Sequence, residues 1–120
     1  MASTTELITT AIERFIGEVP ALAKLKLVFR LELRGRGDVQ VFRVELPGPR
    51  ITRGEPDDAR VELMLPRAEF NELATKGVLA DWHEAYDHGH VKSGGDSAIR
   101  QLIANLVIRQ EARSQLRRAR

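Results

Sequence analysis

AEFNELATKGVLADWHEAYDHGHVKSGGDSAIRQLIANLV, residues 68–107, decides the fold. Phe70, Leu73 and Ala74 recur at helical spacing, and Pro66 suits the first turn of that helix, where its missing donor costs nothing. Gly77 reads as a C′ glycine in the left-handed region. A second helix over Leu79–Asp87 presents Leu79, Trp82 and Tyr86 and stops at Gly89. His90 to Gly94 makes a brief edge strand. Asp96 then caps a last helix whose Ile99, Leu102, Ile103, Leu106 and Val107 form the longest apolar stripe in the chain. This order of apolar helices, a short glycine-bounded strand and a closing helix suits an enclosed apolar space better than a catalytic cluster.

Upstream, Ser3 reads as an N-cap with Glu6 as its capping-box partner. Leu7, Ile8, Ala11, Ile12, Phe15 and Ile16 follow at helical spacing until Gly17 and Pro20. From Leu25 the period becomes two. Leu25, Leu27, Phe29, Leu31 and Leu33 face one way, and Lys26, Arg30, Glu32 and Arg34 the other. Gly35-Arg36-Gly37-Asp38 supplies a hairpin, and Val39–Leu46 returns with Phe42, Val44 and Leu46 buried. A short strand near Ile51 and Thr52, a loop through Glu55-Pro56-Asp57-Asp58 and a strand from Val61 to Leu65 complete the set. The expected fold is α+β: a helix, a three-stranded antiparallel meander, a crossover to a fourth strand, helices, a fifth strand and a C-terminal helix. Helices cover the resulting five-stranded sheet.

Gly77, Ala85, Tyr86, Gly89, Val91, Lys92, Gly95 and Asp96 carry a resemblance to the sterol carrier protein family. In that family a helix ending in glycine precedes a helix with an alanine-aromatic pair, followed by Gly, a Leu or Ile, Lys, Gly and Asp; Val91 stands at the Leu or Ile position here. The sharp part spans about thirty residues, and the element order agrees over nearly the whole chain. The resemblance implies a small domain whose sheet and helices line a tunnel for acyl chains, sterols and related lipids.

With 120 residues and 42% apolar content the chain falls in the range of a single core. It has no cysteine, which removes disulfides, thiolate metal sites and a thiol nucleophile and fits a reducing, cytoplasmic setting. No apolar run approaches a bilayer-spanning length. Arginine outnumbers lysine by 15 to 4, which reads as a GC-rich, bacterial coding background. Of a net charge of +2, five arginines against Glu111 lie within residues 109–120. The division is therefore 1–108 as the sterol-carrier-like domain and 109–120 as a basic C-terminal helical extension. Its cations suit a solvated helix end, and Arg113, Arg117 and Arg118 could touch an anionic membrane surface transiently. Nucleic acid is not expected, because no aromatic residue interleaves with these arginines. A homodimer stays open.

Candidate lipid-lining residues converge from different elements: Phe29, Leu31, Phe42, Val44, Leu63, Phe70, Trp82, Tyr86, Ile99, Ile103 and Leu106. Each also suits plain core packing, while the amphipathic rings of Trp82 and Tyr86 suit a pocket mouth. His83, His88 and His90 read as solvated loop residues, with contacts to a polar head group or to metal as lesser readings. Ser93 reads as a turn residue, since nearness in sequence to His90 and Asp96 does not make a triad. No catalytic residue, metal site or cofactor is expected, and hydrolase assays should be negative.

A dry void of about 400 Å³ would cost on the order of 10 kcal/mol, which rivals a domain's whole stability of roughly 5–15 kcal/mol. Such a space must collapse, take up water or hold a guest. Three function classes follow: a carrier that binds or transfers a lipid such as an acyl chain, sterol-like molecule or isoprenoid; an interaction module with a filled core and no ligand; and an accessory module of a lipid-modifying enzyme.

Overall fold

The computed structural model describes residues 3–118. Its elements are α1 (Thr4–Glu18), a 3-10 turn (Pro20–Lys24), β1 (Leu27–Arg34), β2 (Val39–Leu46), β3 (Arg50–Arg53), β4 (Val61–Pro66), α2 (Arg67–Lys76), α3 (Leu79–Asp87), β5 (Lys92–Gly95) and α4 (Ser97–Arg118). The strands form one sheet in the order β3-β2-β1-β4-β5. All neighbours run antiparallel except β1 and β4, which are parallel with Leu31 opposite Leu63. This is the expected α+β architecture.

Alternation along β1 is strict. Leu27, Phe29, Leu31 and Leu33 are buried, and the residues between them are not. Phe42, Val44 and Leu46 join them from β2, and Val61 and Leu65 from β4. The helices pack on this inner face. The outer face is charged and is crossed by the loop 54–60, which carries the chain from β3 to β4. Arg30 pairs there with Glu32 and Glu55, and Arg43 with Asp58 and Glu45. Hydrogen bonds from Arg34, then Arg30, hold the Glu32 carboxyl below its ordinary range. Every alternate position of β1 thus serves one layer or the other, and a slip of one residue would put arginine against leucine.

Several local expectations shift. Ser3 Oγ accepts from the Glu6 amide at 3.1 Å, capping α1. Leu25 lies outside β1, because the preceding 3-10 turn has its C-cap there and directs the side chain to a second cluster around Val19, Leu22 and Leu79. Pro66 ends β4 opposite Arg34 and caps α2 instead of entering its first turn. Gly77 is extended (φ −75°, ψ 138°), not left-handed. Glycine suits it for a different reason: a Cβ would stand 2.6 Å from the Leu73 carbonyl oxygen. The linker after it is clamped by α1, with Arg14 donating to the Gly77 carbonyl at 2.8 Å and the Leu79 amide donating to Glu18 at 3.0 Å.

Asp96 caps α4 as expected, accepting from the amides of Ala98 at 2.9 Å and Ile99 at 3.1 Å. The Ile99 hydrogen bond, then Arg60, hold its carboxyl below the ordinary range. From there α4 runs to Arg118 with no break at residue 108. The helix lies on the body less deeply than its stripe suggested: no residue from 97 to 116 is fully buried, and Leu102 is 45% exposed. No helix among the described residues is long and apolar enough to cross a membrane.

Candidate apolar cavity

Between α3 and α4 on one side and β1, β4 and β5 on the other lies a cavity of about 420 Å³. Each helix lines it with one stripe at 3.6-residue period. Leu79, Trp82, His83, Tyr86 and Asp87 come from α3, and Arg100, Ile103, Ala104, Val107 and Ile108 from α4. The floor is Leu27 and Phe29 of β1 with Val61 and Leu63 of β4; Phe15, Val91 and Ser93 close the ends. Ala104 is exposed, as are Tyr86 (49%) and Ile108 (55%), so the space reaches the surface between α3 and α4.

Small residues explain why it stays open. Ser93 and Gly95 are the β5 residues in register with Leu63 and Val61, so the edge strand offers the inner face one hydroxymethyl group and one bare backbone. Gly95 has φ +91° and a Cβ there would meet the Arg60 carbonyl at 2.5 Å, which excludes a larger residue without rearrangement. On α4, Ala104 likewise offers the cavity only a methyl group.

Trp82 forms the wall between cavity and packed core. Its ring meets Phe15 edge-on at a centroid distance of 5.3 Å and Phe70 at 6.3 Å, with interplanar angles of 67° and 70°. Such pairs fix an indole more firmly than area burial alone. Polar groups gather toward the mouth. Tyr86 Oη and Ser93 Oγ lie 3.2 Å apart, so Ser93 belongs to β5 and faces the cavity instead of standing in a turn. His83 is likewise no loop residue. It is half-buried on α3, hydrogen-bonds Glu111 of α4 through Nδ1 and stands 3.5 Å from Asp87, tying the two cavity helices together. His88 and His90 border a separate polar cleft of about 370 Å³ with Glu69, Glu72, Asp81 and Glu84.

Of the residues singled out in the sequence, Phe29, Leu63, Trp82, Tyr86 and Ile103 line the cavity. Leu31, Phe42, Val44 and Phe70 sit in the closed core with Ile99 packed against it, and Leu106 joins the second cluster. The candidate set lacked Phe15, Leu27, Val61, Leu79, Val91, Ala104, Val107 and Ile108, along with the polar residues His83, Asp87, Ser93 and Arg100. The last helix offers a recoverable signal. Positions 100, 103, 104, 107 and 108 make a stripe rotated from the purely apolar one, with an arginine at its start. Arg113 is exposed on α4; the side chains of Arg117 and Arg118 lie outside the described residues.

No family model matches the sequence, and no curated protein does. Three-dimensional comparison does find solved structures of similar fold. Palmitated sterol carrier protein 2-like 2 from Aedes aegypti matches with a TM-score of 0.59 at 20% identity, covering 83% of this chain and 93% of its own. Sterol carrier protein 2 from the same mosquito, in complex with the C16 fatty acid palmitate, gives 0.57 at 16% identity over 89% and 96%. The ubiquinone synthesis protein UbiJ-SCP2 gives 0.50 at 18% identity over 92% and 97%. The chain has the sterol-carrier-type fold.

Proposed function

We propose, from a sterol-carrier-type fold with an apolar cavity, that the protein binds a single-chain lipid without chemical conversion and carries or presents it. The observation that carries this reading is the cavity of about 420 Å³ with its aromatic wall at Trp82 and its opening between α3 and α4. Open between α3 and α4, the space takes up water when it holds no guest, and that water finds few hydrogen-bond partners on walls made of Leu27, Phe29, Val61, Leu63 and Ile103. A hydrocarbon chain gains about 0.8 kcal/mol for each methylene it buries, so eight buried methylenes supply roughly 6 kcal/mol before the costs of association. The palmitate bound by the two mosquito proteins of the same fold supports an acyl chain as the guest.

The test is saturable change of Trp82 fluorescence on titration with palmitate, together with native mass spectrometry and solvent extraction of protein as isolated. Extraction that recovers no lipid above a non-binding control, with a flat titration, would remove the reading.

A second reading, an accessory or interaction module, draws on the likeness to UbiJ-SCP2 and on Leu102, Ile108 and Leu116, which are 45%, 55% and 69% exposed along α4. It predicts a protein partner or homodimer whose formation the lipid does not affect. On the carrier reading, residues 109–120 form a basic extension that meets anionic membranes through Arg113, Arg117 and Arg118; vesicle binding should fade as salt rises.

A further inference from the structure

Arg100 differs from the other arginines that structure this domain. Arg30, Arg34, Arg43, Arg60 and Arg67 each pair with a carboxylate. Arg14 donates to a backbone carbonyl. Arg100 makes no ion pair among the described residues, and its Nε is buried with no hydrogen-bond partner. Arg67 Nε shares that condition, but its guanidinium is already held by Asp38 at 2.7 Å. Arg100 lies in the first turn of α4, on the stripe that lines the apolar cavity, one turn before Ala104 at the mouth.

A guanidinium cannot lose its proton at any relevant pH, so a buried donor on it calls for an acceptor. The groups lining the same space do not supply one: Tyr86 and Ser93 hydroxyls lie within hydrogen-bond distance of each other, and Asp87 stands beside His83. We propose that Arg100 is the head-group specificity residue of the cavity and that its guest is a long-chain carboxylate, the acyl chain lying against Leu63, Trp82 and Ile103 and the carboxylate on Arg100. The inference rests on the lipid-binding reading above and narrows it from lipids in general to monoanionic amphiphiles. One guanidinium matches one negative charge in a bidentate pair. A phosphate monoester would bring nearly a second charge to a mouth that already holds the Asp87 carboxylate.

The experiment compares palmitate, hexadecanol and hexadecyl phosphate on the full chain, by Trp82 fluorescence and equilibrium dialysis, for the wild type, Arg100→Gln and Arg100→Lys. The wild type should bind palmitate about 10-fold or more tightly than hexadecanol, since loss of a charge-assisted bidentate contact is worth at least that factor. R100Q should bring the two within about 2-fold by weakening palmitate far more than hexadecanol, with circular dichroism and an unchanged unfolding transition showing that the variant is folded; R100K should recover part of the preference. Equal binding of palmitate and hexadecanol by the wild type, or a preference that survives in R100Q, overturns the role of Arg100 and leaves the lipid-binding reading standing. Tighter binding of hexadecyl phosphate than of palmitate overturns the carboxylate assignment. Failure of all three ligands to bind the wild type overturns both readings.

Discussion

Strand β1 crosses two regions that are built differently. Its C-terminal half, Leu31 and Leu33, lies in a closed core with Ile8, Val44 and Phe70, all 4% exposed or less. Its N-terminal half, Leu27 and Phe29, borders an open cavity. Both halves carry the same alternation and similar side chains, so the strand does not set the difference. The cover does. Helices α1 and α2 reach the sheet with Ile8, Ala11, Phe70, Leu73 and Ala74 buried, whereas α4 has no buried residue through 116 and the adjoining edge strand puts only Ser93 and Gly95 on the inner face. An apolar surface becomes core or binding site according to how much side-chain volume its neighbours can push toward it.

The largest effect that could break this contrast is on stability. Phe70→Ala in the closed half should cost about 3–5 kcal/mol by creating a void that cannot collapse, while Leu63→Ala at the cavity wall should cost about 1 kcal/mol, since it only enlarges a space already open to solvent. Urea unfolding of both variants decides the matter; equal losses would mean that the two halves pack alike.

A smaller perturbation sharpens the contrast from the other side. Ala104→Trp plugs the mouth from an exposed position. It should weaken palmitate binding by about 10-fold or more while moving the melting temperature by no more than about 4 °C, the shift that roughly 1 kcal/mol produces in a domain of this size. Undiminished binding would place the guest elsewhere.

The smallest effect concerns acid. Asp96 is held below its ordinary range, so its support of the α4 N-terminus is fully present above about pH 4 and is lost as pH falls through the depressed value. Amides of α4 should therefore lose hydrogen-exchange protection at a higher pH than those of α2, which has no such cap. Simultaneous loss would make the two covers one cooperative unit.

The layered α+β order, the caps at Ser3 and Asp96 and the inner faces of β1 and β2 were legible in the sequence, because each rests on a local period or a single side-chain hydrogen bond. Residues of the cavity were legible only in part. Trp82 and Tyr86 stood out as aromatics on a short helix, but Leu31, Val44 and Phe70 have the same apolar character as Phe29 and Leu63, and nothing local separates a packed leucine from one that faces a void. His83 was misread as a solvated loop residue because its partner Glu111 is 28 positions away on another helix.

What the chain alone determined is which atoms avoid water, since transfer free energy belongs to each side chain. What the tertiary structure decided is where those atoms fail to meet. That depends on the axial placement of α3 and α4 over the sheet and on the missing bulk at Ser93, Gly95 and Ala104. The rotation of α4 that turns the stripe of Arg100, Ile103 and Ala104 toward the cavity was set in the same way, because packing between helices and sheet fixes a helix's phase only when all of its neighbours are in place.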